Sequence, residues 1–273
     1  MRNHNAADSM NSAAIVFCVM DMLCMGQILA QVALAFRLLL MHDNFMEISV
    51  ILPCFNEEEN IERTIREVLT WFDSEIIDGE VVVANDGSSD GSAKIIESMQ
   101  KEDSRVQVVT HEKNQGYGLA VRSGLDAATK AYISFVDSDG QFHISDLNCL
   151  IPHLKEHDFV PGRRRKRADP FVRNVFGKIL GVLIFSVFGL WIRDVNCGMK
   201  IIKRDLWPTL RPLYGTEKFF NTELYLRAKK AGIEWNQIDV PHYPRVAGSP
   251  TGGSGRVIFG MIKEILDLRR KLK

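Results

Sequence analysis

The chain has 273 residues, of which 34 are Lys or Arg and 34 are Asp or Glu, so it carries no formal net charge and no global attraction to nucleic acid or acidic lipid. A 46% hydrophobic and 25% charged composition excludes wholesale disorder, collagen-like repeats and a polytopic membrane protein. Five scattered cysteines (Cys18, Cys24, Cys54, Cys149, Cys197) with no C-x-x-C pair suggest neither a disulfide framework nor a thiolate zinc site, and fit a reduced, cytosolic setting.

Residues 13–41 are apolar-rich but interrupted by Asp21, Gln27, Gln31 and Arg37. One Asp near the centre of a span costs roughly 2.5–3.5 kcal/mol on insertion scales, which argues against a clean transmembrane helix. A signal peptide is disfavoured too, since Arg2 is the only fixed positive charge ahead of the apolar run and Asp8 offsets it. Folded-domain pattern begins at Met46, so residues 1–45 read as an N-terminal extension, with a weak membrane anchor and a start-site artefact as the two explanations.

From Ile48 short apolar strands alternate with amphipathic helices. Strands are predicted at Ile48–Leu52, Glu80–Ala84, Arg105–Thr110 and Ala131–Val136, and helices are predicted to begin near Glu57, Ser92, Gly118 and Ser145. Asn56 with Glu59 forms a capping-box pattern, after which Ile61, Ile65, Val68, Leu69 and Phe72 share one helical face. This βαβ alternation predicts an α/β fold: a mainly parallel, Rossmann-like sheet with helices on both faces, in one domain. Ligands bind such sheets at the carboxyl ends of the strands.

Beyond the fourth strand the pattern loosens. The basic run Arg163–Arg167 precedes an apolar stretch from Ile179 to Ile192, too short to span a roughly 30 Å hydrocarbon core and therefore a buried or interfacial helix. A helix around Lys218–Ala231, a strand near Trp235–Val240 and a Gly/Ser/Pro-rich segment at 248–255 follow. Residues 251–273 end the chain in a basic amphipathic helix whose apolar stripe includes Val257, Met261, Ile265 and Leu268.

Chemistry-bearing residues cluster at the predicted strand ends. Asp137-Ser138-Asp139 follows the fourth strand, where two carboxylates at i and i+2 can face one ligand, and hard oxygens suit Mg²⁺ or Mn²⁺ bridging phosphates. A solvated acidic turn is the bland alternative. Pro53-Cys54-Phe55-Asn56-Glu57 and Asn85-Asp86-Gly87-Ser88-Ser89-Asp90-Gly91 end the first two strands, where an α/β sheet holds a base and ribose. Gly116 and Gly118 begin a glycine-rich turn, but Val121 occupies the third position of a dinucleotide fingerprint, which disfavours a dehydrogenase. His111, His143 and His242 show no metal-ligand spacing and read as ordinary polar residues.

In order, SVILPCFNEEENI (49–61), VVVANDGSSDG (81–91), NQGYGLAVRSG (114–124) and SFVDSDGQF (134–142) resemble the family 2 glycosyltransferases of the GT-A fold. Within that family they resemble the polyprenyl-phosphate sugar synthases of the dolichyl-phosphate mannosyltransferase type. The resemblance covers roughly residues 46–250. It implies that Pro53, Phe55 and Glu57 line the nucleotide pocket with Gly116 and Gly118 nearby, that Asp86 contacts the base, and that Asp137, Asp139 and Gln141 hold the metal. Asn85 stands where the family usually has Asp, and Arg163 where it usually has an aromatic residue. The same resemblance implies that Arg164 and Arg173 meet the phosphate of a lipid acceptor and that Arg245 meets the donor pyrophosphate, roles that guanidinium forks suit.

Glu223, in FFNTELYLRA, is a general base if the acceptor is a hydroxyl, and equally a structural carboxylate. The expectation from the whole chain is an inverting, divalent-cation-dependent sugar transfer from a GDP- or UDP-sugar to a polyprenyl phosphate. The enzyme is expected at the cytosolic face of a membrane, held peripherally, with no nucleic-acid partner. A saccharide hydroxyl as acceptor, a sugar-1-phosphate nucleotidyltransferase and a non-catalytic sugar-nucleotide binder are the alternatives. The nucleotidyltransferase lacks its Gly-rich first loop here, and a non-catalytic relative would most easily have lost one of the two metal carboxylates.

Overall fold

The computed structural model describes residues 46–137, 140–165, 171–215, 219–244 and 265–271. Seven strands form one sheet: β1 (Glu47–Cys54), β2 (Asp78–Asn85), β3 (Val106–Thr110), β4 (Tyr132–Phe135), β5 (Phe159–Arg164), β6 (Lys200–Lys203) and β7 (Ile238–Val240). Their order is β3-β2-β1-β4-β6-β5-β7. Every strand runs the same way except β6, which is antiparallel to both β4 and β5. The mainly parallel α/β sheet expected from the sequence is thereby present.

The strands are buried on both faces, so their apolar residues run nearly without break. Along β1, Ile48, Val50 and Leu52 enter one core cluster and Ile51 enters the other; along β2, Val81 and Val83 divide from Val82 in the same way. Helices α1 (Ile61–Glu75) and α2 (Ser92–Glu102) cover the first face. On the second lie α3 (Tyr117–Ala127), α4 (Phe171–Phe188), a short α5 (Trp207–Leu210) and α6 (Phe220–Lys230). Each fully buried Val, Leu or Ile contributes about 1.5–3 kcal/mol, so an Asp at Val82 would break the packing between β2 and α3.

Register places the ligand edge. Cys54 pairs with Asn85, Asn85 with Thr110 and Ile51 with Phe135, so β1 to β4 finish along one line. Being antiparallel, β6 brings its first residue, Lys200, to the same edge opposite Pro161 near the end of β5. The DVNCGMK segment that precedes β6 therefore joins the loops that follow the parallel strands.

Two expectations are corrected by the structure, and two strands are added to them. The first helix starts at Ile61 rather than near Glu57, because Asn56 takes a left-handed conformation (φ 56°) and spends its side chain on the neighbouring loop instead of capping a helix. The helix expected at Ser145 is two 3₁₀ segments, Ile144–Cys149 and Ile151–Lys155. Strands β5 and β6 had no forecast: Pro161-Gly162 inside β5 looks like a turn, yet Gly162 N–H donates to Met199 O at 2.8 Å and continues the ladder.

Helix α4 carries apolar residues all round. Leu180 and Ile184 pack into the second cluster with Ile265 and Leu268 of the helical segment 265–271. Val175, Ile179, Val182 and Phe185 are instead exposed, and the Trp191 ring, 63% exposed, meets Phe185 edge-on at 5.7 Å. Among the described residues no helix is long and apolar enough to cross a membrane.

Candidate functional site

The first two strand-end loops are stitched together. Asn56 N–H donates to Ser88 Oγ (3.0 Å), and its Oδ1 accepts from Ser89 N–H (2.8 Å). Glu57 N–H donates to Ser92 Oγ and Gly91 N–H to Glu58 Oε2. The turn cluster thus pairs polar backbone that the sheet edge would otherwise leave unsatisfied. Gly87 is required here: its φ is +70°, and a Cβ would stand 2.6 Å from the backbone of Lys113. Pro53 is the last residue but one of β1, Phe55 stands 45% exposed on the loop, and Glu57 accepts from Asn60 Nδ2 at 2.9 Å.

Asp86, buried at the end of β2, organises the third loop. Its carboxylate accepts from the N–H groups of Gln115 (2.9 Å) and Gly116 (2.8 Å) and lies 2.7 Å from His111 Nδ1. The other ring nitrogen of His111 lies 2.9 Å from Ser123 Oγ on α3. His111, read from the sequence as an ordinary polar residue, links the Asp86 carboxylate to a helix. Gly116 (φ +98°) turns the chain into α3, whose first residue, Tyr117, donates its hydroxyl to Asp137 Oδ1 at 2.8 Å. Gly118 is buried in the first turn of α3.

Asp137 follows β4, and Gly198 of the DVNCGMK loop lies against it. A Cβ on Gly198 would sit 3.1 Å from Asp137 Oδ2. Gln141 is buried, and its carbonyl accepts from Tyr243 N–H at 3.0 Å. His242 stacks edge-on against Phe142 and Tyr243 against His143. The chain leaving β7 is thereby held beside the loop that follows β4. Asp139 and Arg245 lie outside the described residues.

Arg164, at the end of β5, grips Asp194 with both ends of its fork, Nε to Oδ2 at 2.8 Å and Nη2 to Oδ1 at 2.7 Å. Both side chains are 7% exposed. Arg163 pairs with Asp239. Arg173 belongs to the first turn of α4, and its side chain lies outside the description. Lys200, fully buried, donates to Cys197 O and lies over the rings of Phe135 (5.1 Å) and Tyr225 (5.8 Å). Burial pushes its ammonium down to about 8. Burial also pushes the Cys54 and Cys197 thiols up to about 11, which makes both poor nucleophiles.

Glu223 is distant in character from a solvent-facing base. It is fully buried and accepts from Leu213 N–H (2.8 Å), Tyr214 N–H (2.8 Å), Gly215 N–H (2.7 Å) and Arg227 Nε (2.8 Å). Four donors fill the four lone-pair sites of a carboxylate.

Sequence reasoning placed Tyr117, Asp194, Gly198 and Lys200 in motifs but gave none of them a role. Asp194 and Lys200 could have been suspected, because charges inside a segment that is otherwise apolar must be paired if it is buried. Among the described residues no cluster of three His, Cys, Asp or Glu side chains could hold a metal. The carboxylate of Asp137, in close contact with Gly198, nonetheless fits a hard divalent cation, and Asp139 and Gln141 would add oxygen donors. The edge as a whole offers loops for a nucleotide, a carboxylate for a cation and a buried Arg–Asp pair beside it.

The sequence model of glycosyl transferase family 2 matches residues 49–211. A dolichyl-phosphate beta-glucosyltransferase of Trichomonas vaginalis is 27% identical over 248 residues, covering 82% of this chain and 72% of the relative. An uncharacterised protein of Methanocaldococcus jannaschii is 31% identical over 204 residues, covering 69% of this chain and 86% of the relative. Among solved structures, glucosyl-3-phosphoglycerate synthase from Mycobacterium tuberculosis, in complex with Mn²⁺, UDP and phosphoglyceric acid, superposes with a TM-score of 0.60. It is 23% identical, with 82% of this chain and 78% of that chain covered.

Proposed function

The chain belongs to glycosyl transferase family 2, and from that premise we propose that it moves a hexosyl unit from a nucleoside diphosphate sugar to the phosphate of a polyprenyl phosphate at a membrane surface. The observation that carries the lipid acceptor is the outer face of α4. Val175, Ile179, Val182 and Phe185, with Trp191, form an exposed apolar band on the helix that follows Arg164 and the ligand edge. Such a band suits the headgroup boundary of a bilayer, and half-burying five large side chains is worth on the order of several kcal/mol, in the range of reversible peripheral binding. A relative that acts on dolichyl phosphate supports the same reading.

The donor lies across the stitched loops, with Phe55 and Asp86 toward the base and Pro53 and Glu57 lining the pocket. Asp137, Asp139 and Gln141 would hold a divalent cation, which when bound would neutralise charge on the departing diphosphate. Arg245 adds a guanidinium to the same group. An oxygen of the acceptor phosphate attacks the anomeric carbon, the bond from that carbon to the diphosphate oxygen breaks, and the nucleoside diphosphate leaves with the electron pair. The anomeric centre inverts. Arg173, on the first turn of α4, meets the acceptor phosphate, while Arg164 shapes that side of the site through Asp194. A phosphate acceptor brings no proton that must be removed, which accords with the fully occupied Glu223.

The test is incubation of the protein with Mn²⁺, polyprenyl phosphate in vesicles and a panel of UDP- and GDP-sugars, followed by mass spectrometry of the organic phase. A glycosylated polyprenyl phosphate is expected. Transfer only to water-soluble acceptors overturns the proposal. A Val182→Glu/Phe185→Glu variant is expected to lose vesicle sedimentation and to keep nucleotide binding.

A further inference from the structure

We propose that Tyr117 is a positioning residue for the metal carboxylate Asp137, and that the 111–117 loop ties that carboxylate to the nucleotide-base end of the site. The inference rests on the cation reading of Asp137 given above. Tyr117 lies twenty residues before Asp137, on a different element, and its hydroxyl donates to Oδ1 at 2.8 Å. A charge-assisted bond of that length restrains rotation of the carboxyl plane. With Oδ1 held on the Tyr117 side, Oδ2 is set on the side of Gly198, where an added Cβ would stand 3.1 Å from it.

The tyrosine is itself held from both directions. Ahead of it, the N–H groups of Gln115 and Gly116 are tied to Asp86. Behind it, α3 is anchored through Ser123 to His111, whose other nitrogen meets the same Asp86. His111 N–H in turn donates to Asn85 O at 2.9 Å, fixing the start of the loop to β2. The tyrosine ring packs against the second core cluster. A run of bonds therefore passes from Ser123 through His111, Asp86 and the loop backbone to Tyr117 and Asp137. A base seated on Asp86 and a cation seated on Asp137 act on the two ends of one small, rigid loop.

Hydrogen-bond partners of metal ligands change metal affinity by roughly 10–100-fold when removed. Tyr117→Phe removes one oxygen and keeps the ring. Mn²⁺ binding to the full chain is read by electron paramagnetic resonance, with saturating UDP and separately with GDP, and independently of turnover. The expected result is Mn²⁺ binding weaker by about 10–100-fold, with the melting temperature of the metal-free protein unchanged and turnover restored by excess Mn²⁺. An Mn²⁺ affinity equal to that of the wild type overturns the proposal, as does a lowered melting temperature with affinity intact. Wild-type protein that holds no Mn²⁺ with either nucleotide overturns the cation reading beneath it, an outcome distinct from a Tyr117→Phe variant that matches a wild type that does bind.

Discussion

Replacing Glu223 with Gln separates a structural carboxylate from a general base. In the wild type, Oε1 accepts from Leu213 N–H and Arg227 Nε, and Oε2 from Tyr214 N–H and Gly215 N–H. An amide keeps one oxygen and turns the other acceptor into a donor, so whichever way it flips, two bonds are lost and an NH₂ faces other N–H groups. Bonds to a charged group are each worth about 1.5–3 kcal/mol, which brings the loss to roughly 3–6 kcal/mol. Breaking the pair with Arg227 falls within that figure rather than adding to it, since Arg227 is partly exposed and can turn to water. For a domain of this size each kcal/mol lowers the melting temperature by about 2–4 °C, so a fall of roughly 6–24 °C is expected. Urea titration gives the stability, and turnover is measured well below the melting point. The expected outcome is a large loss of stability with substantial turnover kept. A Glu223→Gln protein as stable as wild type but slower by on the order of 100-fold would refute the reasoning and make Glu223 a base.

Three further outcomes are expected. Arg164→Ala leaves Asp194 buried without its fork and should cost about 3–5 kcal/mol, part of which returns in the Arg164→Ala/Asp194→Ala double variant; a double variant no more stable than the single one would deny the pairing its structural weight. Gly198→Ala places a methyl 3.1 Å from Asp137 Oδ2 and should lower Mn²⁺ affinity by about tenfold or more with little change in melting temperature, so unchanged Mn²⁺ binding would show that this flank faces no cation. Lys200, pushed down to about 8 from an ordinary 10.5, is protonated below pH 8 in both folded and unfolded chains, whereas between pH 8 and 10.5 the folded chain has shed a proton that the unfolded chain keeps. Stability of the wild type relative to Lys200→Met should therefore rise across that window in urea titrations, and a difference that stays flat from pH 7 to 10 would contradict the burial argument.

The parallel half of the sheet was legible because its strands are buried on both faces and read as unbroken apolar runs between turn clusters, with registers that put Pro53, Asp86 and Asp137 on one edge. Beyond Val136 the helix at Phe220–Lys230 and β7 were also legible, but β5 and β6 were not, because a strand containing Pro161-Gly162 and a four-residue strand at Lys200 leave too little periodicity to see. The chemistry at the strand ends could be anticipated from residue type. Who holds whom could not: Asp86 engages His111 across 25 residues and Arg164 engages Asp194 across 30, and nothing local marks such pairs. Glu223 stayed ambiguous for the same reason, since three of its four donors are backbone groups of a loop.

The place of β6 has a bearing on how the protein is made. It lies between β4 and β5, yet the ribosome releases both of those strands before it. While the nascent chain grows, β1 to β4 can close on themselves, but β5 has no neighbour until Lys200–Lys203 emerges. At about 5–20 residues per second that interval lasts roughly a few seconds. During it the apolar α4 is already outside the exit tunnel with its inner face uncovered. The β1 to β4 side of the sheet is thus assembled vectorially, and the β5 side waits for a late strand to be threaded home, which makes that interval the one in which a chaperone matters most.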